Sequence, residues 1–320
     1  MSFATDARGE VAREVCRERC CARSELAAAL LCSGGIAFKG RGRYALSVTA
    51  TDASVVRRYF SILKQFWNVT SEIRTLHTDA LNGRVRYQLV IPEEDSIPLL
   101  EEAQLMDAEA LFGVRMSPRP EMVLGDCCKR SFLRSTFLLC GAVSNPEREY
   151  QFEMALPNED IANYVMDIMK YYDLSIKKTC RKAKFVVYLK SAEEISTALR
   201  LIGAGTAVMK LEEARIRKDF RNTINRQMNC DSSNIDRVMA ASSAQIEDIQ
   251  YLETEIGLEK LPKSLEIMAR LRLENPEASL VSLGELLNPP IGKSGVNARL
   301  RRISEIARNL RAGEDTGLGG

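Results

Sequence analysis

The chain has 320 residues, of which 45% are apolar and 28% charged, with a formal net charge of +2 at pH 7. This length points to two or three domains and the composition to an ordinary globular protein, while near-neutral charge leaves nucleic-acid affinity to local clustering. No run approaches the ~20 apolar residues of a membrane span, and MSFATDARGEVAREVCRERCC has charges where a secretory signal has an apolar stretch, so a cytoplasmic protein without membrane contact is expected.

In chain order, residues 6–31 suit a helix or helix pair, followed by strands at 36–38 and 43–49. A helix is expected over 52–66, capped by Asp52, with Val55, Val56, Tyr59, Phe60 and Leu63 on one face. Strands at 70–77 and 84–91 flank Asn82-Gly83, a hairpin turn signal, and a helix over 96–111 closes this half. The same order then recurs. A helix at 129–140 leads to strands near 142–144 and 149–156, a helix at 158–172 capped by Asn158, strands at 175–179 and 184–190, and a helix at 192–202. The unit α-β-β-α-β-β-α thus occurs twice at an offset of about 107 residues, and its first helix ends in Gly both times, in ELAAALLCSGG and in LRSTFLLCG.

Beyond Gly205 the strand signal disappears and long helices are expected. Within them Asn222, Asn225, Arg226 and Asn229 form a polar stripe at helical spacing, and with Arg221 they offer accessory contacts to a phosphate backbone; a solvated or interdomain helix fits equally well. Ser279 caps a short helix that Asn288-Pro289-Pro290 terminates, and Ser294 is expected to cap a second, GVNARLRRISEIARNL. Val296, Leu300, Ile303, Ala307 and Leu310 share one face of that helix. From 293 to 311, Lys293, Arg299, Arg301, Arg302, Arg308 and Arg311 face the single acid Glu305. Two short helices, the second one basic, make a helix-turn-helix for double-stranded DNA, with Ser294 and Asn297 toward base edges and the cations toward bases or phosphates. The tail from 312 is expected to be disordered.

Catalytic patterns are absent. There is no G-x-S-x-G, P-loop, G-x-G-x-x-G or H-E-x-x-H, and the one histidine, His77, falls beside a turn. Nine irregularly spaced cysteines argue for a reducing compartment rather than a disulfide framework. Cys16, Cys20 and Cys21, and the pair Cys127-Cys128, lack the usual spacing of zinc ligands, so they are read as buried small hydrophobes, with no metal and no cofactor.

The two Gly-ended helices resemble the LAGLIDADG motif of homing endonucleases, in which such helices pack at a pseudo-twofold axis. Ala27, Ala28 and Ala29 in the first and Ser135 in the second suit that close approach. In active members an acid precedes each Gly and holds a divalent metal. Here Ser33 and Cys140 stand at those positions, and neither is a carboxylate. The opening SFATDARGEVARE, then CCKRSFLRSTFLLCGAVSNPEREYQFEM, RNTINRQMNCDSSNIDR and SLGELLNPPIGKSGVNARLRRISEIA resemble the WhiA family, tied to sporulation and cell-division control. The resemblance implies an α+β, pseudo-twofold LAGLIDADG-like domain with halves at 1–126 and 127–206, a helical linker at 207–258, a helix-turn-helix domain at 259–311 and a disordered tail at 312–320. It also implies a non-enzymatic, nucleoid-associated DNA-binding regulator, and leaves room for a protein partner on the LAGLIDADG-like part. Arg41, Arg43, Arg84 and Arg86 would make the first sheet a basic saddle for DNA, whereas Glu149, Gln151 and Glu153 would make the second a poor one.

Overall fold

Each half of the duplicated region wraps a four-stranded antiparallel sheet around one apolar helix. The computed structural model describes residues 2–33, 35–77 and 85–316, with the backbone alone at 77, 231 and 233–235. The hairpin turn at Asn82-Gly83, Arg84, Gly34 and the last four residues lie outside the described residues. After a first helix α1 (Phe3–Arg13), the first half runs α2 (Arg19–Ser33), β1 (Ile36–Gly40), β2 (Arg43–Ala50), α3 (Ala53–Trp67), β3 (Glu72–His77), β4 (Val85–Ile91) and α4 (Glu93–Glu102). The second runs α5 (Asp126–Cys140), β5 (Gly141–Val143), β6 (Phe152–Leu156), α6 (Glu159–Tyr171), β7 (Lys177–Arg181), β8 (Lys184–Leu189) and α7 (Ala192–Ile202). The sheets have orders β1-β2-β4-β3 and β5-β6-β8-β7, the same order twice, as the duplicated pattern requires.

The periodicities that placed these elements are those that bury them. On β2, Tyr44, Leu46, Val48 and Ala50 alternate inward, and on β6 Phe152, Met154 and Leu156 do the same. Caps fix the connecting helices, Asp52 accepting from the Ser54 N–H and Asn158 from that of Ile161.

At the centre, α2 packs along α5. Ala27, Ala28 and Ala29 are fully buried, as are Ser135 and Thr136 opposite. Short side chains let the helix backbones come close, and the polar groups trapped between them are satisfied. The Ser135 hydroxyl donates to the Glu25 carbonyl at 2.7 Å and lies 2.7 Å from the Tyr59 hydroxyl. Where β5 begins, a Cβ on Gly141 would stand 2.3 Å from the Phe137 ring and 2.6 Å from its carbonyl oxygen, so only glycine fits the exit from α5.

Three expectations shift. The helix placed at 96–111 runs instead from Glu93 to Glu102, because Glu93, Glu94 and Asp95 favour a helix N-terminus, and Pro98 lies inside it. Between this helix and α5 the chain is largely irregular, tied by a bridge between Met106 and Val114. Between Gly205 and Glu255 the long helices expected there are one continuous helix, α8 (Gly205–Glu255). Finally, of the five cysteines read as buried, Cys16, Cys21 and Cys128 are buried but Cys20 and Cys127 are exposed. His77 ends β3 opposite Val85.

The described chain divides into two compact units, residues 1–219 and 220–320, with the division inside α8. In the first unit the start of α8 is capped by Glu10, whose carboxylate accepts from the backbone N–H groups of Thr206 (2.6 Å) and Ala207 (3.1 Å). The second unit adds α9 (Lys263–Glu274), α10 (Leu280–Glu285) and α11 (Lys293–Ala312) around a core of Ile249, Leu252, Met268, Leu283, Val296, Leu300, Ile303 and Ile306.

A larger side chain at the central contact has nowhere to go. Ala28→Leu is expected to destabilise the protein by about 1–3 kcal/mol through overpacking, read as a lower urea midpoint.

Candidate nucleic-acid interface

The C-terminal helices form a compact trihelical unit. Ser279 caps α10, its hydroxyl accepting from the Ser282 N–H at 3.1 Å. Gly284 allows the next turn to fold back, since a Cβ there would lie 2.2 Å from the Ile291 carbonyl oxygen and 3.2 Å from Val296. The Ile291 N–H closes that turn on the Gly284 carbonyl at 3.1 Å. α11 begins earlier than its sequence suggests. Gly292, not Ser294, is the N-cap, because the Gly292 carbonyl already accepts from Gly295 (2.9 Å) and Val296 (3.2 Å); Ser294 therefore sits inside the first turn.

On α11, Val296, Leu300, Ile303, Ile306 and Ala307 are buried, while Lys293, Ser294, Arg301, Arg302 and Arg308 are exposed and Asn297 and Arg299 half-buried. The one acid of the helix, Glu305, is held by Arg302 at 2.7 Å. Arg311 is drawn aside, 2.6 Å from Asp248 and over the Tyr251 ring at 4.5 Å. Among the described residues no carboxylate pairs with Lys293, Arg299, Arg301 or Arg308, so their charge stays available to an anion. Arg221, Asn225 and Arg226 lie on an exposed stretch of α8.

In the first unit, the two helix-end positions carry no carboxylate. The Ser33 hydroxyl donates to the Ser47 carbonyl at 3.4 Å, and the Cys140 thiol to the Cys32 carbonyl at 3.7 Å. The contact with Cys140, reinforced by burial, pushes the Cys32 thiol well above the usual range and keeps it neutral. Hard divalent cations need oxygen ligands that are anionic or strongly dipolar, and this end offers few. The nearby acids serve elsewhere. Glu147 pairs with Arg217, and Glu149 accepts from Ser144 at 3.0 Å. Glu25, whose side chain is fully buried, takes a two-pronged grip from Arg58 (2.7 and 2.6 Å) and a third contact from Arg134 (3.2 Å). Arg134 also reaches the Ile202 carbonyl at 3.0 Å, so this triad links α2, α3, α5 and α7.

The open sheet faces are set by register. Arg86 shares a face with Arg43, Gln88 and Arg74 on the first sheet, where Arg43 is 3.5 Å from Glu93 and Arg74 is 2.7 Å from Glu72. Arg41 sits in the β1–β2 turn. The acidic reading of the second sheet fails: β6 begins at Phe152, so Glu149 and Gln151 precede it and Glu153 is its one acid. Pairing of β6 with β8 and β8 with β7 puts Lys177, Arg181 and Lys184 on the same face as Glu153, which Arg181 approaches to 3.7 Å. A single-strand view missed this because the balancing cations come from strands some thirty residues later.

Two pseudosymmetric half-sheets on a close helix pair define a LAGLIDADG-like domain, and α9–α11 a helix-turn-helix unit. The chain belongs to the WhiA family. Family models match for the WhiA N-terminal LAGLIDADG-like domain (residues 19–106), the WhiA LAGLIDADG-like domain (129–221) and the WhiA C-terminal HTH domain (224–307). "Probable cell division protein WhiA" of Desulforamulus reducens is 37% identical over 315 residues, covering 98% of both chains. That of Clostridium tetani is 38% identical over 312 residues, covering 97% of this chain and 98% of the relative. The crystal structure of full-length WhiA from Thermotoga maritima shares the fold, with a TM-score of 0.59 at 22% identity over 97% of this chain and 99% of that one. No helix among the described residues is long and apolar enough to cross a membrane.

The buried triad gives a sharp stability contrast. Glu25→Ala leaves Arg58 buried without its counter-charge and is expected to cost about 3–5 kcal/mol in urea unfolding. Glu149→Ala, at an exposed site, is expected to stay within about 0.5 kcal/mol.

Proposed function

We propose that this chain is a non-enzymatic, sequence-specific DNA-binding regulator of cell division that acts through transcription. The observation that carries the reading is the exposed side of α11, where Lys293, Arg299, Arg301 and Arg308 lack acidic partners among the described residues beside a sole acid already held by Arg302. A basic helix after a tight turn, in the region matched by the WhiA HTH family model, suits insertion in a major groove. Its N-terminal residues Ser294 and Asn297 would face base edges and the arginines the phosphates. The names of the curated relatives support the link to division, and sporulation and chromosome segregation are the processes in which such a regulator would act. The reading as non-enzymatic rests on Ser33 and Cys140 and on the engagement of Glu25. Arg221, Asn225 and Arg226 would add phosphate contacts, and the chain would work at the nucleoid in the cytoplasm.

A protein partner on the LAGLIDADG-like unit is a second reading. Phe38 stacks on Phe112 at 5.3 Å, and Leu111 beside them is 79% exposed, an apolar patch unlike the charged sheet faces.

Double-stranded DNA affinity measured against salt tests the main reading. Arg301→Ala with Arg308→Ala is expected to weaken binding and to flatten the log K against log salt slope by about 2, one for each phosphate no longer neutralised. Arg302→Ala, removing a cation already neutralised, is expected to change it less. Unaltered affinity in the double variant would overturn the assignment, as would nicking of supercoiled plasmid by the pure protein with Mg²⁺ the non-enzymatic part of it.

A further inference from the structure

The two helices at the centre of the LAGLIDADG-like unit also meet at their other ends. Cys20 and Cys21 occupy the second and third positions of α2, and Cys127 and Cys128 the same positions of α5, each pair 107 residues apart in sequence. All four sulfurs lie within 4.8 Å of one another, and Cys127 Sγ is 3.9 Å from Cys128 Sγ. Thiolates bound to one tetrahedral zinc at ~2.3 Å stand about 3.8 Å apart. The observed spacing therefore needs only small side-chain rotations to close on an ion.

We propose that Cys20, Cys21, Cys127 and Cys128 form a tetrathiolate site for a single soft or borderline d¹⁰ cation, zinc being the physiological one. Neighbouring cysteines on one helix diverge too much to surround an ion alone. Two such pairs, brought face to face by the pseudo-twofold contact of α2 with α5, supply the four corners. An iron–sulfur cluster fits less well, since its cysteines bind different irons and their sulfurs stand further apart than around one ion. Sulfur ligands also separate this site from magnesium chemistry, and about 18 Å of helix separates it from Ser33 and Cys140.

Burial pushes the Cys21 and Cys128 thiols up, so their deprotonation accompanies arrival of the ion, while the position of both pairs favours the anionic form. Both pairs lie in the first turns of their helices, where free N–H groups and the helix dipole favour negative charge. A cleft of ≈ 400 Å³ bordered by Cys21 and Cys127 holds Arg13, Arg17, Arg130 and Arg134 together with Glu14, Glu18 and Asp126. Arg130 is 2.8 Å from Asp126 and Arg134 is held by Glu25, which leaves Arg13 and Arg17 as the cations nearest to hand for the negative charge of a zinc tetrathiolate. Cys20 and Cys127 are exposed and Cys21 and Cys128 buried, so an ion has a route in and an anchored floor. Binding releases the four thiol protons to solvent and requires no electron transfer.

Full-length protein isolated under reducing conditions without chelator is expected to carry close to one zinc per chain by elemental analysis. After chelation, Co²⁺ is expected to restore one equivalent with the intense thiolate-to-cobalt charge-transfer and visible bands of a tetrahedral sulfur site. Cys20→Ser with Cys127→Ser is expected to lose those bands, and Cys180→Ser to keep them, with circular dichroism confirming the fold of each. Chelation is expected to lower the melting temperature of the wild type by several degrees and to leave the double variant unmoved. Reduced wild type that gives no cobalt–thiolate bands overturns the proposal whatever the variants do. So do bands that survive in a folded double variant, or a disulfide between the two cysteine pairs in freshly isolated protein without metal.

Discussion

The close packing of α2 on α5 sets the geometry of everything else in the first unit. Ala27, Ala28 and Ala29 leave no room for slack, and the Ser135 hydroxyl, donating to the carbonyl of Glu25, fixes how far one helix can slide along the other. Glu25 then extends the constraint sideways. Its carboxylate is out of water and needs Arg58 and Arg134, and Arg134 in turn reaches the end of α7. A carboxylate that a metal-dependent nuclease would place at its helix end stands here eight residues earlier, at Glu25 rather than at Ser33, as an electrostatic rivet between the halves. Such a triad is weak as net stabilisation yet severe when broken, so it enforces one arrangement over its near alternatives.

Most of the architecture was legible in the sequence because burial and periodicity coincide. A strand with every second residue apolar, or a helix with a capped start and an apolar stripe, states its own orientation to the core, and the repeated order of elements stated the topology. Errors arose where the deciding partner is remote or the signal ambiguous. Glu93 to Asp95 mark a helix start that an apolar count alone places later, and Gly292 competes with Ser294 for one cap. The charge of the second open face depends on a pairing register between β6, β8 and β7 that no single strand contains.

The candidate interface was legible in part for the same reason. The exposed side of α11 could be read from helical spacing, but not which of its cations are already neutralised, since Arg311 turns to Asp248 on another helix. The cysteines are the clearest miss. Judged by spacing along the chain they match no metal motif, and the signal that joins them is the repeat itself, which places Cys20 on Cys127 and Cys21 on Cys128. Duplication carries ligand geometry that a linear pattern cannot express.

The alternation within the two sheets has a consequence for how this surface can change. Inward positions answer to a shared core, so substitutions there are tied to neighbours in both halves. Outward positions such as Arg86, Lys177 and Lys184 answer only to what lies outside the sheet. In a symmetric homodimer each surface substitution would appear twice. Here one chain supplies both halves, so each face can be tuned separately, and a fold with near-twofold symmetry can address a target that has none.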